Sequence, residues 1–150
     1  MKEVYLETIL LIERLHRRFL DVIKTELDRQ KKDDINNVQT LILYNIGGDT
    51  LTVGELTNRG YYLGTNVSYN VKNLVENGYL IQEKAPHDKR STRVRVSEKG
   101  MELCNMMEAL FSRNVEDLQQ VSPELQMLKD TNQSMHQLER YWTDYINRLY

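Results

Sequence analysis

The hydrophobic pattern of this chain changes period in its middle, and this change limits the folds that the chain can adopt. From Leu63 to Asn77 apolar residues recur every three or four positions, which predicts a helix, and Gly78 can take the left-handed conformation past its end. Leu80–Lys84 and Thr92–Val96 are short strand candidates, and valine and arginine alternate in the second, as in a half-buried strand. The pattern predicts a helix followed by a β-hairpin.

Further helices are predicted on both sides of this unit. Residues 3–29 carry a long apolar stripe and residues 36–46 a short one. The spacing of Thr52 and Glu55 matches a capping box, which predicts a short helix that begins there. Two more helices follow the hairpin, separated by a break at Ser122-Pro123. We therefore expect a mostly α-helical chain with one small β-hairpin.

The distribution of charge favours a nucleic-acid partner, although the whole chain carries a net charge of −2. Residues 57–100 hold eight basic and four acidic side chains, a net charge of +4, whereas residues 1–56 sum to −2 and residues 101–150 to −4. A basic centre between acidic ends suits a DNA-binding module inside a helical scaffold. Ordinary scatter of charge along the chain is the alternative explanation.

The helix predicted over residues 63–77 has an outward face of hydrogen-bonding groups with one cation and no acid before Glu76. This face contains Thr65, Asn66, Ser68, Tyr69, Lys72 and Asn73. A helix of this length fits the DNA major groove, and the basic tip of the hairpin is placed to reach a phosphate run or the minor groove. These features predict double-stranded DNA as the partner.

The residues of the hairpin resemble a known family. The run Asp88-Lys89-Arg90-Ser91, followed by Val94-Arg95-Val96-Ser97-Glu98-Lys99-Gly100, looks like the wing signature of the MarR family of bacterial transcriptional regulators. In that family an Asp-x-Arg-Ser run precedes a Thr-Glu-Lys-Gly-like end, and Ser97 replaces the commoner threonine. The run Thr65-Asn66-Val67-Ser68 is similar to the family's recognition helix. The resemblance implies a winged helix-turn-helix that regulates transcription by binding specific double-stranded DNA.

The resemblance also implies roles for the outward helix face. It places Thr65, Asn66, Ser68 and Tyr69 in the major groove, and Lys72 and Asn73 on the same face complete the predicted set. Many members carry arginine where Tyr69 stands, so the tyrosine would stack on a sugar or donate to a phosphate instead. Under the other interpretations, Thr65 and Ser68 only cap the helix and Tyr69 packs on its own domain.

The hairpin tip is assigned to the minor groove by the same resemblance. Arg90 would enter the groove, because narrow A·T tracts attract arginine, and Asp88 would orient it through an ion pair. Lys89, Arg93 and Arg95 would contact phosphates or brace the wing. In the plainer interpretation Asp88 is a turn residue and Arg90 a solvated cation, and Arg93 is expected to be solvated or phosphate-facing rather than base-reading.

The apolar stripes at both ends of the chain exceed what one small winged helix can cover, and such a patch usually marks an interface. In the resembled family the first and last helices of two subunits intertwine. We expect a homodimer on a near-palindromic operator, with residues 1–34 and 101–150 as the dimerisation region and residues 35–100 as the DNA-binding lobe of a single domain. A monomer whose ends pack on their own domain is the alternative.

Many members of the resembled family respond to small phenolic or anionic effectors. The candidate pocket residues in this chain are His16, Arg17, Arg18, Tyr44 and Tyr61. His16 and Tyr44 would also suit the core or an interface. Cys104 lies among apolar residues and is expected to be an inert buried thiol rather than a redox trigger.

Other function classes have little support in the sequence. Three scattered histidines and one cysteine give no metal site, and no nucleophile–base pair, phosphate loop or carboxylate dyad points to an enzyme, so no cofactor is expected. No apolar run spans a membrane and the chain start lacks a signal-peptide pattern, so a soluble, cytoplasmic protein is expected. The rival to DNA binding is a winged-helix protein-interaction module, which the acid-poor helix face and the basic hairpin disfavour.

Overall fold

The computed structural model describes residues 1–60, 64–88, 90–122 and 127–149. Within these ranges the chain is mostly α-helical with one small antiparallel sheet, which confirms the predicted fold class. The helices are α1 (Lys2–Arg29), α2 (Asn37–Ile46), α3 (Val53–Gly60), α4 (Gly64–Glu76), α5 (Glu98–Val121) and α6 (Met127–Leu149). The strands are β1 (Leu51–Thr52), β2 (Leu80–Lys84) and β3 (Thr92–Val96).

The chain divides into two compact units, Met1–Glu108 and Ala109–Tyr150. The first unit contains α1 to α4, the sheet and the first turns of α5. The second contains the rest of α5 together with α6, and none of the α6 side chains is buried. No helix in the described ranges is both long enough and apolar enough to cross a membrane.

The core of the first unit combines apolar side chains from α1 to α5 with others from the sheet. The largest fully buried apolar ones are Ile23, Ile42, Leu43, Ile46, Leu56, Val67, Leu74, Tyr79, Val94 and Met107. Burial of one such side chain contributes about 1.5–3 kcal/mol. The packing holds α4 and the sheet against α2, and α2 against α1.

Reciprocal side-chain caps fix where two of the helices begin. At α2, the Asn36 side chain accepts from the Gln39 backbone N–H at 2.8 Å, and the Gln39 side chain accepts from the Asn36 backbone N–H at 3.1 Å. At α3, Thr52 and Glu55 exchange the same pair of bonds, at 3.1 and 2.8 Å. The capping box predicted for Thr52 and Glu55 is thus confirmed, and each box satisfies two N–H groups that a helix start leaves unpaired.

Two glycines shape the junction between α4, β2 and α5. Gly78 ends α4 with a φ of +79°, a left-handed conformation that favours glycine. At Gly100, in the first turn of α5, an added Cβ would lie only 2.4 Å from the Tyr79 carbonyl oxygen. The Ser97 hydroxyl accepts from the Gly100 N–H at 3.1 Å, so Ser97 caps α5. The start of α5 is therefore held close to the start of β2.

The sheet is antiparallel with the strand order β1-β3-β2. Leu80 pairs with Val96 and Lys84 with Thr92, which gives the predicted hairpin. A third strand, β1, lies beside the hairpin, because Leu51 pairs with Val94. Val94 is fully buried at the centre of the sheet, while its arginine neighbours in β3 are exposed, as the alternating pattern indicates.

Candidate nucleic-acid interface

Helix α4 separates a buried apolar face from an outward polar face. Val67, Val71 and Leu74 are buried against the core. The outward face carries Asn66, Ser68, Tyr69 and Lys72, which are exposed, and Asn73, which is half-buried. These positions agree with the sequence pattern, and the surface predicted to enter the major groove is accessible.

Two of the alternatives for this face can be compared with the structure. The Tyr69 side chain is 67% exposed, so it does not pack in the core of its own domain. Ser68 is the fifth residue of α4, beyond the positions that cap a helix start. The Thr65 side chain lies outside the described part of the structure, and its role stays a prediction.

The outward face of α4 is rich in hydrogen-bonding groups but poor in charge. The Lys72 Nζ lies 3.9 Å from Glu76 Oε1, one helical turn further along, and both side chains are exposed. Exposed pairs of this kind contribute about 0.3–0.5 kcal/mol, so a phosphate can readily compete for the lysine. The helix therefore offers donors and acceptors rather than a strong positive field.

The tip of the hairpin is organised by the Asp88 carboxylate. Asp88 Oδ1 accepts from the Arg90 backbone N–H at 2.9 Å, and Oδ2 accepts from the Ser91 hydroxyl at 3.2 Å. The Ala85 N–H closes the hairpin by donating to the Ser91 carbonyl at 2.9 Å. Asp88 thus contacts the backbone of Arg90, where an ion pair with the guanidinium was expected. The Arg90 side chain is exposed, and Lys89 lies outside the described residues.

The two arginines of β3 lie on the exposed face of the sheet but differ in their surroundings. Arg95 Nε is 3.7 Å from Glu83 Oε2 on β2, across the strand pair. Arg93 pairs in register with Glu83 through the backbone, yet it has no ion pair with any residue that the structure describes. Among the described residues, Arg93 therefore has no ion pair to give up when it binds a phosphate, whereas Arg95 would give up an exposed pair that contributes a few tenths of a kcal/mol, about as much as the Lys72–Glu76 pair.

A groove of about 450 Å³ separates α4 from the sheet. Ser68 and Lys72 line it from the helix, and Gln82 and Thr92 line it from the strands. The structure thereby brings two predicted site residues together with two that sequence reasoning missed. Gln82 and Thr92 lie on the same side of the sheet because of the register of β2 and β3. Only this register would have identified them.

Comparisons with known proteins agree with this geometry. The family model described as "Winged helix DNA-binding domain" matches residues 35–100. The "Exopolysaccharide II synthesis transcriptional activator ExpG" of Rhizobium meliloti (strain 1021) is 36% identical over 138 residues, covering 92% of this chain and 71% of that relative. The chain belongs to the MarR family. It is a winged-helix, DNA-binding transcriptional regulator.

Solved structures of other proteins share the MarR fold with this chain. FabT of Streptococcus pneumoniae, solved in complex with DNA, matches with a TM-score of 0.78 at 15% identity, over 91% of this chain and 97% of FabT. The MarR protein of Staphylococcus aureus, solved with salicylate and kanamycin, matches with a TM-score of 0.69 at 22% identity, over 91% of each chain. At these identities the likeness concerns the fold alone.

The candidate effector residues of this MarR-family chain are dispersed. His16, Arg17 and Arg18 are exposed on α1, and consecutive helical residues point about 100° apart. The three side chains therefore do not converge on one point within a single chain. The Tyr44 hydroxyl donates to the Glu108 carboxylate, and this hydrogen bond, followed by burial, raises the pKa of Tyr44. Tyr61 lies outside the described residues, so the pocket stays a prediction.

Cys104 lies in the core of the first unit, where its thiol is 3.8 Å from the Leu43 carbonyl oxygen. Burial raises its pKa, with a smaller contribution from the charge of Glu108. A raised pKa keeps the thiol protonated and poorly nucleophilic. Among the residues placed by the structure, no cluster of histidine, cysteine and acidic side chains could hold a metal ion.

Proposed function

We propose that this protein binds a near-palindromic double-stranded DNA operator as a homodimer, with α4 in the major groove and the hairpin tip in the minor groove. One observation carries the proposal: α4 and the wing, which is the β2–β3 hairpin of residues 80–96, border one groove. Ser68 and Lys72 line this groove from α4, and Gln82 and Thr92 line it from the strands. A DNA duplex is a ligand that contacts both elements at once, since base edges and phosphates alternate along its surface.

The exposed face of α4 suits the reading of base edges. Asparagine can bond an adenine at two atoms, and serine can donate to or accept from several bases. In our proposal Asn66 and Ser68 make such contacts, Tyr69 stacks on a sugar or donates to a phosphate, and Lys72 leaves Glu76 for a phosphate. Thr65 and Asn73 complete the set of DNA-contacting residues on α4.

The wing suits contacts that depend on charge and groove shape. In our proposal Arg90 enters the minor groove, and Asp88 positions it by ordering the backbone of the tip. Arg93 and Lys89 bind phosphates, while Arg95 mainly braces the strands through Glu83. The exposed side chain of Arg90 and the two hydrogen bonds that Asp88 accepts support these roles.

Exposed apolar side chains support the homodimer. On α1, Val4 and Leu15 are each 59% exposed, and Leu11 and Val22 are each 40% exposed, at spacings of seven and four residues that form one stripe. The exposed apolar residues of α6 include Tyr141, Tyr145, Ile146 and Leu149. We propose that residues 1–34 and 101–150 bury these surfaces against a second copy, which would present two α4 helices to two half-sites.

Two measurements test the proposed function. Selection from a random-sequence DNA library should enrich a near-palindromic duplex, and sedimentation of the free protein should give a dimer at micromolar concentration. Leu15→Asn should shift the dimer towards monomer, while Glu13→Asn, also on exposed α1 surface, should not. If the protein enriches no duplex, as expected of a protein-interaction module, the proposed DNA binding is wrong. If it sediments as a monomer, the arrangement of two half-sites is wrong.

We also propose that a small phenolic or anionic effector modulates DNA binding. The salicylate bound to the structurally similar Staphylococcus aureus protein supports salicylate as a probe. Salicylate should release the enriched duplex from the protein. Substitution of a residue of the candidate set should reduce this release. The candidate set is His16, Arg17, Arg18, Tyr44 and Tyr61. Displacement that is equal in all variants would contradict this pocket.

A further inference from the structure

Polar side chains tie the start of α2 to the middle of α4. The buried Gln39 donates from its Nε2 to Asn70 Oδ1 on α4, at 3.3 Å. The other end of the same amide, Oε1, accepts from the Asn36 backbone N–H at 3.1 Å. Asn70 in turn donates to the Asn66 carbonyl at 2.8 Å. The middle of α4 is thereby bonded to the start of α2.

A second set of bonds holds the C-terminal end of α4. Asp34 Oδ1 accepts from the Tyr79 hydroxyl and Oδ2 from Lys99 Nζ, each at 2.6 Å. The Asp34 carbonyl accepts from the Asn77 side-chain amide at 2.9 Å. Asp34 therefore joins the segment before α2 to the residues just past α4 and to the first turn of α5.

Lys99 has two further contacts at this place. Its Nζ donates to the Asn77 carbonyl at 2.8 Å and lies 4.2 Å from the centre of the Tyr79 ring. The Asn77 carbonyl is at the negative end of the α4 dipole, where a cation is favourable. Lys99 thus satisfies a carbonyl past the helix end and balances the charge of Asp34 as well.

We propose that these six residues, Asp34, Gln39, Asn70, Asn77, Tyr79 and Lys99, form a polar clamp that sets the orientation of α4 for reading bases. The proposal rests on the proposed placement of α4 in the major groove. Apolar contacts on the buried face hold the helix but are non-directional, so they permit small rotations and shifts. The clamp holds α4 at Asn70, in the middle of the helix, and at Asn77 and Tyr79, just past its end. Hydrogen bonds depend on direction, so they restrain rotations and shifts that apolar contacts tolerate.

Base reading needs this precision more than phosphate binding does. A binding side chain has to lie within about 0.5 Å of its productive position, which requires supporting hydrogen bonds behind it. Attraction to phosphates carries no sequence information and tolerates such shifts. Loss of the clamp should therefore reduce the preference for the correct duplex more than it reduces binding to any duplex.

Asp34→Asn and Asp33→Asn form a matched pair for the test. Both remove one negative charge from neighbouring positions, but only Asp34 belongs to the clamp. The probes are a duplex enriched from a random library by the wild-type protein and a scrambled duplex of equal composition. The readout is the dissociation constant for the scrambled duplex divided by that for the enriched duplex, both at one salt concentration. A high ratio means strong preference for the enriched duplex. A change in overall stability or charge does not alter this ratio as long as the protein is folded and its α4 geometry is kept.

We expect Asp34→Asn to lower the ratio by about three- to thirtyfold. Asp33→Asn should leave it within about twofold, as is usual for surface changes. Tyr79→Phe keeps every charge and the buried ring, so it should lower the ratio in the same direction and serves if Asp34→Asn does not fold. Equal ratios for Asp34→Asn, Tyr79→Phe and Asp33→Asn would overturn the clamp alone. A wild-type protein that enriches no duplex would overturn the proposed function and the clamp together.

Discussion

Helix α4 and the wing border the same groove, but they differ in what they can offer a DNA duplex. The outward face of α4 has amide, hydroxyl and phenol groups, and its Lys72 is paired with Glu76. The wing has Arg90 and Arg93 exposed, and the tip is ordered through the Asp88 carboxylate. Hydrogen-bonding groups on a fixed helix suit sequence reading, whereas exposed cations suit attraction to phosphates and narrow grooves.

The two regions are also held in different ways. Helix α4 is held by a buried apolar face and by the polar clamp, so its outward side chains have defined positions. The wing tip is ordered locally, by bonds among residues only two to six positions apart. Discrimination between duplexes should therefore depend on long-range contacts behind α4, and affinity on the charges of the wing.

The largest effect is expected for Arg90→Ala. Removal of an arginine from the minor groove should weaken binding to the enriched duplex by about 1–3 kcal/mol and should also weaken binding to a scrambled duplex. Fluorescence anisotropy at constant salt gives both values. Arg14→Ala removes the same charge from exposed α1 surface and is the control. Equal affinities for the two variants would make Arg90 a solvated cation.

Asn66→Ala should change discrimination instead. If Asn66 bonds a base edge, its loss should cost about 1–3 kcal/mol on the enriched duplex and little on the scrambled one. The ratio of the two dissociation constants measures this. A uniform loss on both duplexes would show that α4 contributes only general attraction and would remove the distinction between helix and wing.

Arg93→Gln and Arg95→Gln compare two arginines on one strand. Arg93→Gln should make the slope of log K against log salt shallower by about 0.9 for each phosphate that the Arg93 guanidinium neutralises. Arg95→Gln should change the slope less, because Glu83 already pairs with Arg95. Glu83→Gln should free Arg95 and tighten binding. A larger change in slope for Arg95→Gln than for Arg93→Gln would contradict the assignment of Arg93 to a phosphate.

The smallest effect concerns stability and pH. Burial opposes ionisation of Asp34, but hydrogen bonds from Lys99 and Tyr79 and the Lys99 charge outweigh it and hold its pKa below the ordinary 3.8. A lowered pKa in the folded state stabilises the fold above the ordinary pKa, and this contribution is lost as the pH falls through the folded value.

Urea unfolding of the wild type and of Asp34→Asn measures this contribution. The difference in unfolding free energy should be constant near neutral pH and should shrink towards zero below about pH 4. The same measurement on Asp33→Asn, which leaves the clamp residues unchanged, is the control. A difference between wild type and Asp34→Asn that persists in acid would mean that the Asp34 charge is not what holds the clamp.

Much of the fold follows from local patterns in the sequence. Periodicity, the Thr52–Glu55 box and Gly78 predicted the helices and the hairpin, because helix starts and ends depend on neighbours three or four residues away. The third strand, β1, has only two residues, and two residues carry almost no periodic information. Its pairing with β3 joins residues about forty positions apart.

The site was predicted by composition and resemblance, but its internal contacts were not. The pairing of Lys72 with Glu76 follows from a spacing of four residues and could have been expected. The pairing of Arg95 with Glu83 depends on the register of two strands. The bonds of Asp34 to Tyr79 and Lys99 join positions 45 and 65 residues apart, which no local pattern predicts.

The salt dependence of wild-type binding to the enriched duplex tests the central claim most directly. If each subunit of a homodimer contacts at least two phosphates, log K should fall against log salt with a slope of about −3.6 or steeper. Arg93→Gln should make this slope shallower, and Asn66→Ala should leave it unchanged. A slope near zero, or equal changes from both variants, would contradict the account that the wing attracts DNA and α4 reads it.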